Sequence, residues 1–226
     1  MQQYKRDFID FLARSEVLLL GDFTTKSGRK TPYFVNTGRF RSGAQMAQLG
    51  SWYAQTLVDH FGKEFDVLFG PAYKGIPLSV ATGIALAREH DHDCGVVFNR
   101  KEAKDHGEGG TLVGHEVKDG ERVIIVEDVT TAGTSIRETM PQLQSAAKID
   151  PRGLVIAVDR CERGPSGDGT ALEEVGRTFG LETCSIVNVH EIIEHLHGRE
   201  IDGRVLLDDD CKARMDAYLA EYGPQA

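Results

Sequence analysis

Short apolar runs, too brief for helices and separated by stretches of helical spacing, set the limits on how this chain folds. Residues 65–69, 96–98, 122–126, 154–158 and 183–189 are rich in Val, Ile, Leu and Phe, with little alternation of polar side chains. A strand with one wet face alternates, whereas a strand covered on both faces does not. The runs therefore predict a central, mostly parallel sheet flanked by helices, an α/β fold. The intervening helices are expected near 74–89, from about Gly133, and near 170–179, 191–197 and 209–222. Pro141 falls inside the helix after Gly133, where an interior proline costs roughly 3 kcal/mol, so a kink or an early end is expected there.

The first sixty residues follow a different pattern. Tyr4, Phe8, Phe11 and Leu12 recur at helical spacing up to about Ser15, and residues 22–40 are turn-rich with short strands. Ser42 is placed to cap a second helix whose apolar face carries Met46, Leu49, Tyr53, Leu57 and Phe61. Residues 1–62 are thus expected to form an added N-terminal subdomain beside a core of residues 63–226. Thirty-five acidic against 26 basic residues give a net charge of −9, which argues against a general nucleic-acid binder. The four cysteines are scattered, and Lys5, Arg6, Asp7 and Asp10 interrupt the opening residues, as expected of a cytoplasmic protein. No apolar run approaches the ~20 residues of a bilayer span.

In an open parallel sheet, ligands sit beyond the carboxyl ends of the strands. Gly70 to Gly75 follow the first run, Asn99, Arg100 and Lys101 the second, Glu127 to Ser135 the third, and Asp159 and Arg160 the fourth. The third set is the most informative. Two carboxylates leave a buried strand, and Thr131, Ala132, Gly133, Thr134 and Ser135 then run into a helix N-terminus, where backbone N–H groups and hydroxyls make an anion cradle. Carboxylates beside such a cradle must face something else, such as ribose hydroxyls or the waters of a bound Mg²⁺.

The segment V-I-I-V-E-D-V-T-T-A-G-T-S resembles the phosphoribosyl-pyrophosphate (PRPP) motif of the type I phosphoribosyltransferases. Residues 100–107, R-K-E-A-K-D-H-G, are similar to the mobile catalytic loop of the orotate phosphoribosyltransferases, as are F-G-P-A-Y-K-G at 69–75 and K-S-G-R-K-T-P-Y-F at 26–34. The resemblance implies transfer of phosphoribose from PRPP to orotate, giving orotidine 5′-monophosphate and pyrophosphate in pyrimidine nucleotide biosynthesis. It also implies Mg²⁺, held mainly by PRPP with Glu127 and Asp128 nearby, and a homodimer that shares a loop at about 100–112 between subunits. By the same resemblance, Lys101, Lys104, His106 and Asp128 are catalytic. Lys26, Tyr73, Lys74 and Arg100 join the loop cations around PRPP, with Glu127, Asp128, Val129, Thr130, Thr131, Ala132, Gly133, Thr134 and Ser135 beneath it. Phe34, Val35, Thr131 and Arg160 meet orotate, Arg160 offering its planar fork to the carboxylate. The chain departs from the motif at Glu127, where the family usually has Asp, and at Val35, where it often has a second aromatic.

Other signals fail. His190, Glu191, Glu194 and His195 miss the zincin spacing, and the helix carrying them is expected to be a solvated one. The glycines from 107 to 114 complete neither a dinucleotide fingerprint nor a P-loop. Two rivals are a phosphoribosyltransferase for another base and a non-catalytic PRPP-sensing regulator.

Overall fold

The computed structural model describes residues 1–25, 28–104, 110–129 and 133–224. The chain opens with helix α1 (Gln3–Arg14), a hairpin of β1 (Leu18–Thr24) and β2 (Lys30–Val35), a single 3-10 turn at Thr37–Arg39, and α2 (Gly43–Phe61). Ser42 caps α2 as expected: its hydroxyl accepts from the Gln45 amide at 3.2 Å while the Gln45 side chain accepts from the Ser42 amide. Then come β3 (Val67–Gly70), α3 (Gly75–Glu89), β4 (Gly95–Lys104), β5 (Gly110–Gly114), β6 (Arg122–Glu127), α4 (Thr134–Ala146), β7 (Asp150–Asp159), α5 (Ala171–Phe179), β8 (Glu182–Asn188) and α6 (Val189–Leu196). A two-stranded ribbon, β9 (Glu200–Ile201) and β10 (Arg204–Val205), leads into the terminal helix α7 (Asp209–Tyr222).

Six strands form the central sheet in the order β5-β4-β3-β6-β7-β8, parallel except for β5 at one edge. The uninterrupted apolar runs have a direct cause: successive residues feed different cores. Leu68, Ile124, Val126, Val155 and Ala157 face one cluster, shared with Phe8 and Leu12 of α1, Leu57 of α2, Leu86 of α3 and Met215 of α7. Val67, Phe69, Val123, Ile125, Leu154 and Ile156 face the other, under α4 and α5. Each fully buried Val, Leu, Ile or Phe contributes about 1.5–3 kcal/mol, so the sheet is the stable platform of the molecule. Within residues 1–62, the hairpin is a separate two-stranded sheet, while α1 and α2 share the first cluster with the large sheet.

Three expectations change. Of the two outcomes expected at Pro141, the early end is not found, because helix α4 runs through it to Ala146. Met140 and Leu143 are buried on either side of the proline, which lies on the exposed face, where water can take up the carbonyl left without a donor. The stretch at 100–112 is strand at both ends, because β4 continues to Lys104 and β5 begins at Gly110, their pairing interrupted between Asn99 and Lys104. Helix α6 is not simply solvated: His195 is buried against α1, 2.7 Å from Asp10, which also takes Arg199 at 3.0 Å.

Candidate active site

The strand ends converge as the parallel sheet requires. The last residue of β6, Glu127, is only 8% exposed, and its Oε2 accepts from the Ser135 hydroxyl of α4 at 2.8 Å. Burial, followed by the neighbouring Asp128 charge, pushes the Glu127 carboxyl up to about 7, against the pull of the Ser135 hydrogen bond. The strand end is fixed from beneath, where the Tyr53 hydroxyl of α2 donates to the Glu127 carbonyl at 2.6 Å.

Asp128 faces away from this buried pair. Its Oδ2 accepts from Lys74 Nζ at 2.7 Å and from the Thr37 hydroxyl at 2.6 Å, and Lys74 also donates to Thr37 at 3.1 Å. A cation from the β3–α3 junction, a hydroxyl from the turn after β2 and a carboxylate from β6 therefore meet at one oxygen. Beside them, Asn99 of β4 accepts from the Ala72 amide at 2.8 Å, tying the turn after β3 to the next strand. Tyr73 is 69% exposed, with Lys101 Nζ 5.1 Å from its ring centroid. Arg100 lies on β4 within the same group of strand ends.

At the head of α4, Gly133 takes the left-handed conformation (φ 63°, ψ 24°), and a Cβ there would come within 2.5 Å of Val175 Cγ2. Thr134 and Ser135 open the helix behind it, and Val129 packs against the larger apolar cluster. Thr130, Thr131 and Ala132 lie outside the described residues, as do Lys26 and His106, and the Lys104 side chain is likewise outside what is described.

Toward the end of β2, Phe34 is 37% exposed, while Tyr33 and Val35 on either side of it are buried. Of Phe34 and Val35, Phe34 presents its side chain outward, its ring 5.9 Å from that of Phe23, so Val35 has backbone alone to offer. Arg160, just past β7, lies with its guanidinium 4.7 Å from the Tyr33 ring centroid. Its Nε and Nη2 donate to Glu162 Oε1 at 2.8 and 2.5 Å. Among the described residues, no group of three or more His, Cys, Asp or Glu is arranged to hold a metal ion. Burial pushes the thiols of Cys94, Cys161 and Cys184 up to about 12, which suits packing and not nucleophilic attack.

Residues 38–158 match the phosphoribosyl transferase domain family. An orotate phosphoribosyltransferase of Lachnoclostridium phytofermentans is 54% identical over 226 residues, covering the whole of both chains. The chain belongs to the orotate phosphoribosyltransferases. The orotate phosphoribosyltransferase of Vibrio cholerae is 49% identical, over 99% of this chain and 100% of its own. The crystal structure of the orotate phosphoribosyltransferase from Francisella tularensis superposes with a TM-score of 0.81 at 34% identity, covering 96% of this chain and 99% of that one. A full-length likeness to orotate phosphoribosyltransferases does not favour another base or a non-catalytic regulator. Thr37, Glu162 and Tyr218 escaped the sequence reading of this orotate phosphoribosyltransferase. Glu162 had a weak signal, an acid two residues from Arg160, whereas Thr37 and Tyr218 reach the site only through tertiary packing.

Proposed function

We propose that this chain joins orotate to the anomeric carbon of PRPP, releasing pyrophosphate and forming orotidine 5′-monophosphate for pyrimidine nucleotide synthesis. The observation that carries this reading is the meeting of Lys74 and Asp128 across the ends of β3 and β6. It puts a cation for a diphosphate beside a carboxylate for ribose hydroxyls. As the C–O bond to pyrophosphate breaks, the sugar becomes cation-like and negative charge collects on the leaving group. Lys74, Arg100 and Tyr73 hold that group from the floor, while Lys26, Lys101, Lys104 and His106 close over it, supplying placed positive charge and excluding water. Asp128, with Glu127 beside it, orients the ribose 2′- and 3′-hydroxyls. The segment from Val129 to Ser135 cradles the 5′-phosphate. Arg160 pairs the orotate carboxylate, and Phe34 covers the ring, with Thr131 and the Val35 backbone completing the pocket.

Asp128, beside the diphosphate cation Lys74, suits a divalent ion held through its waters and mainly by PRPP, with the buried Glu127 carboxyl next to it, so the residues fit Mg²⁺ in that outer position. When bound, Mg²⁺ offsets charge on the diphosphate. Residues 1–62 contribute the hood over the base. The working form is a homodimer in the cytoplasm, a compartment that suits four free cysteines. Its contact is the α2–α3 face, where Val80 and Ile84 are exposed and Arg88 and Glu89 offer opposite charges for a twofold pairing. No helix among the described residues is long and apolar enough to cross a membrane.

The test is loss of orotate ultraviolet absorbance in purified protein with PRPP and Mg²⁺. Loss that requires both additions supports the reading, and persistence of the absorbance with all components present overturns it.

A further inference from the structure

Helix α7 lies far in sequence from every motif of the site, yet it reaches the base side directly. The Tyr218 hydroxyl donates to Glu162 Oε1 at 2.7 Å, the same oxygen that takes Nε and Nη2 of Arg160. Arg29, at the start of the hairpin's second arm, donates to Glu162 Oε2 at 3.3 Å, and its guanidinium lies 4.5 Å from the Tyr222 ring centroid. The Tyr33 ring supports the Arg160 guanidinium, its hydroxyl donates to the Arg160 carbonyl at 3.2 Å, and it meets the Tyr218 ring edge-on at 5.9 Å. Arg160 and Glu162 side chains are 8% and 11% exposed.

A long side chain has many rotamers, and orienting its fork without help costs entropy. Here two of the fork's donors are spent on a carboxylate that is itself held from α7 and from the hairpin. That fixes the guanidinium plane and leaves Nη1 directed by the anchor. We infer that Tyr218 is a positioning residue for orotate recognition, acting through Glu162 to hold Arg160. This rests on the role proposed above for Arg160, and it gives the C-terminal helix a part in base specificity.

The experiment compares Tyr218→Phe with Tyr222→Phe and Arg160→Ala, measuring KM for orotate and for PRPP, kcat and melting temperature. Tyr218→Phe keeps the ring and removes one hydroxyl. It is expected to raise the orotate KM about fivefold, leaving the PRPP KM and melting temperature essentially unchanged. Tyr222→Phe keeps the ring beside Arg29 and is expected to change none of these. An unaltered orotate KM in Tyr218→Phe, with a raised one in Arg160→Ala, overturns the positioning role alone. Parallel rises in both KM values with a lower melting temperature also overturn it, because they mark a merely structural hydroxyl. No change in orotate KM for Arg160→Ala overturns the underlying role of Arg160, and the inference with it.

Discussion

Replacing Glu127 by Gln should stabilise the ligand-free protein, and should do so only when the pH is not acidic. The carboxyl is 8% exposed, and burial with the adjacent Asp128 charge holds its pKa at about 7 in place of 4.5. Below 4.5 both the folded and the unfolded chain carry the proton, so the group costs nothing. Between 4.5 and about 7 the unfolded chain releases the proton while the buried carboxyl keeps it, and stability falls as the pH rises. Above about 7 the loss is complete. Over that interval, at about 1.4 kcal/mol per pH unit, it amounts to about 3 kcal/mol. Gln is the same size and keeps an oxygen for the Ser135 hydroxyl, so the variant should recover most of that amount at pH 8 and nearly none at pH 4.5. Urea unfolding followed by Trp52 fluorescence, at one protein concentration and both pH values, measures the difference. An equal difference at the two pH values, or a variant less stable at pH 8, would refute the argument.

Other expectations follow from the same geometry. Lys101→Ala should lower kcat by about a hundredfold or more with an unchanged melting temperature, since the residue is exposed and its amine lies 5.1 Å from the centroid of the exposed Tyr73 ring; near-normal turnover would remove Lys101 from the mechanism. Asp128→Asn should raise the PRPP KM and lower kcat while sparing orotate binding, as steady-state kinetics with each substrate varied will tell. Gly133→Ala should destabilise by about 2 kcal/mol in urea, because its φ of 63° and the nearby Val175 methyl both exclude a Cβ.

The parallel strands were legible because burial on both faces leaves no alternation to misread. β5 was not, because Thr111, Leu112 and Val113 make only a three-residue run between glycines, and their order as a strand comes from pairing with β4. At the site, residues that follow their own strand in sequence, such as Glu127, Asp128 and Arg160, could be found from the strand-end rule. Thr37 reaches Asp128 across 91 residues, and Tyr218 reaches Glu162 across 56, and no local pattern encodes such a meeting. The reading of helix α6 as simply solvated fails for the same reason: His190 and Glu194 are exposed, and the His195 side chain is buried because Asp10 of α1 arrives opposite it. Local periodicity records which elements form, and much less of what their polar faces meet.

The two ion pairs at the strand ends differ in a way that bears on substrate loading. Lys74 is 60% exposed where it meets Asp128, which is itself 13% exposed. The lysine can move into water while the Thr37 hydroxyl still donates to the carboxylate, so the exchange costs less than breaking a pair buried on both sides. A diphosphate can therefore draw Lys74 away, and ribose hydroxyls can then take over the Asp128 oxygen that Lys74 and Thr37 occupy. Without substrate, the same pair lets a lysine and a carboxylate with separate tasks neutralise each other. Arg160 and Glu162 are both nearly buried, and breaking such a pair by removing one partner costs about 3–5 kcal/mol. Their geometry is therefore set before any ligand arrives. The diphosphate side of the site is built to exchange partners, and the base side is built to stay as it is.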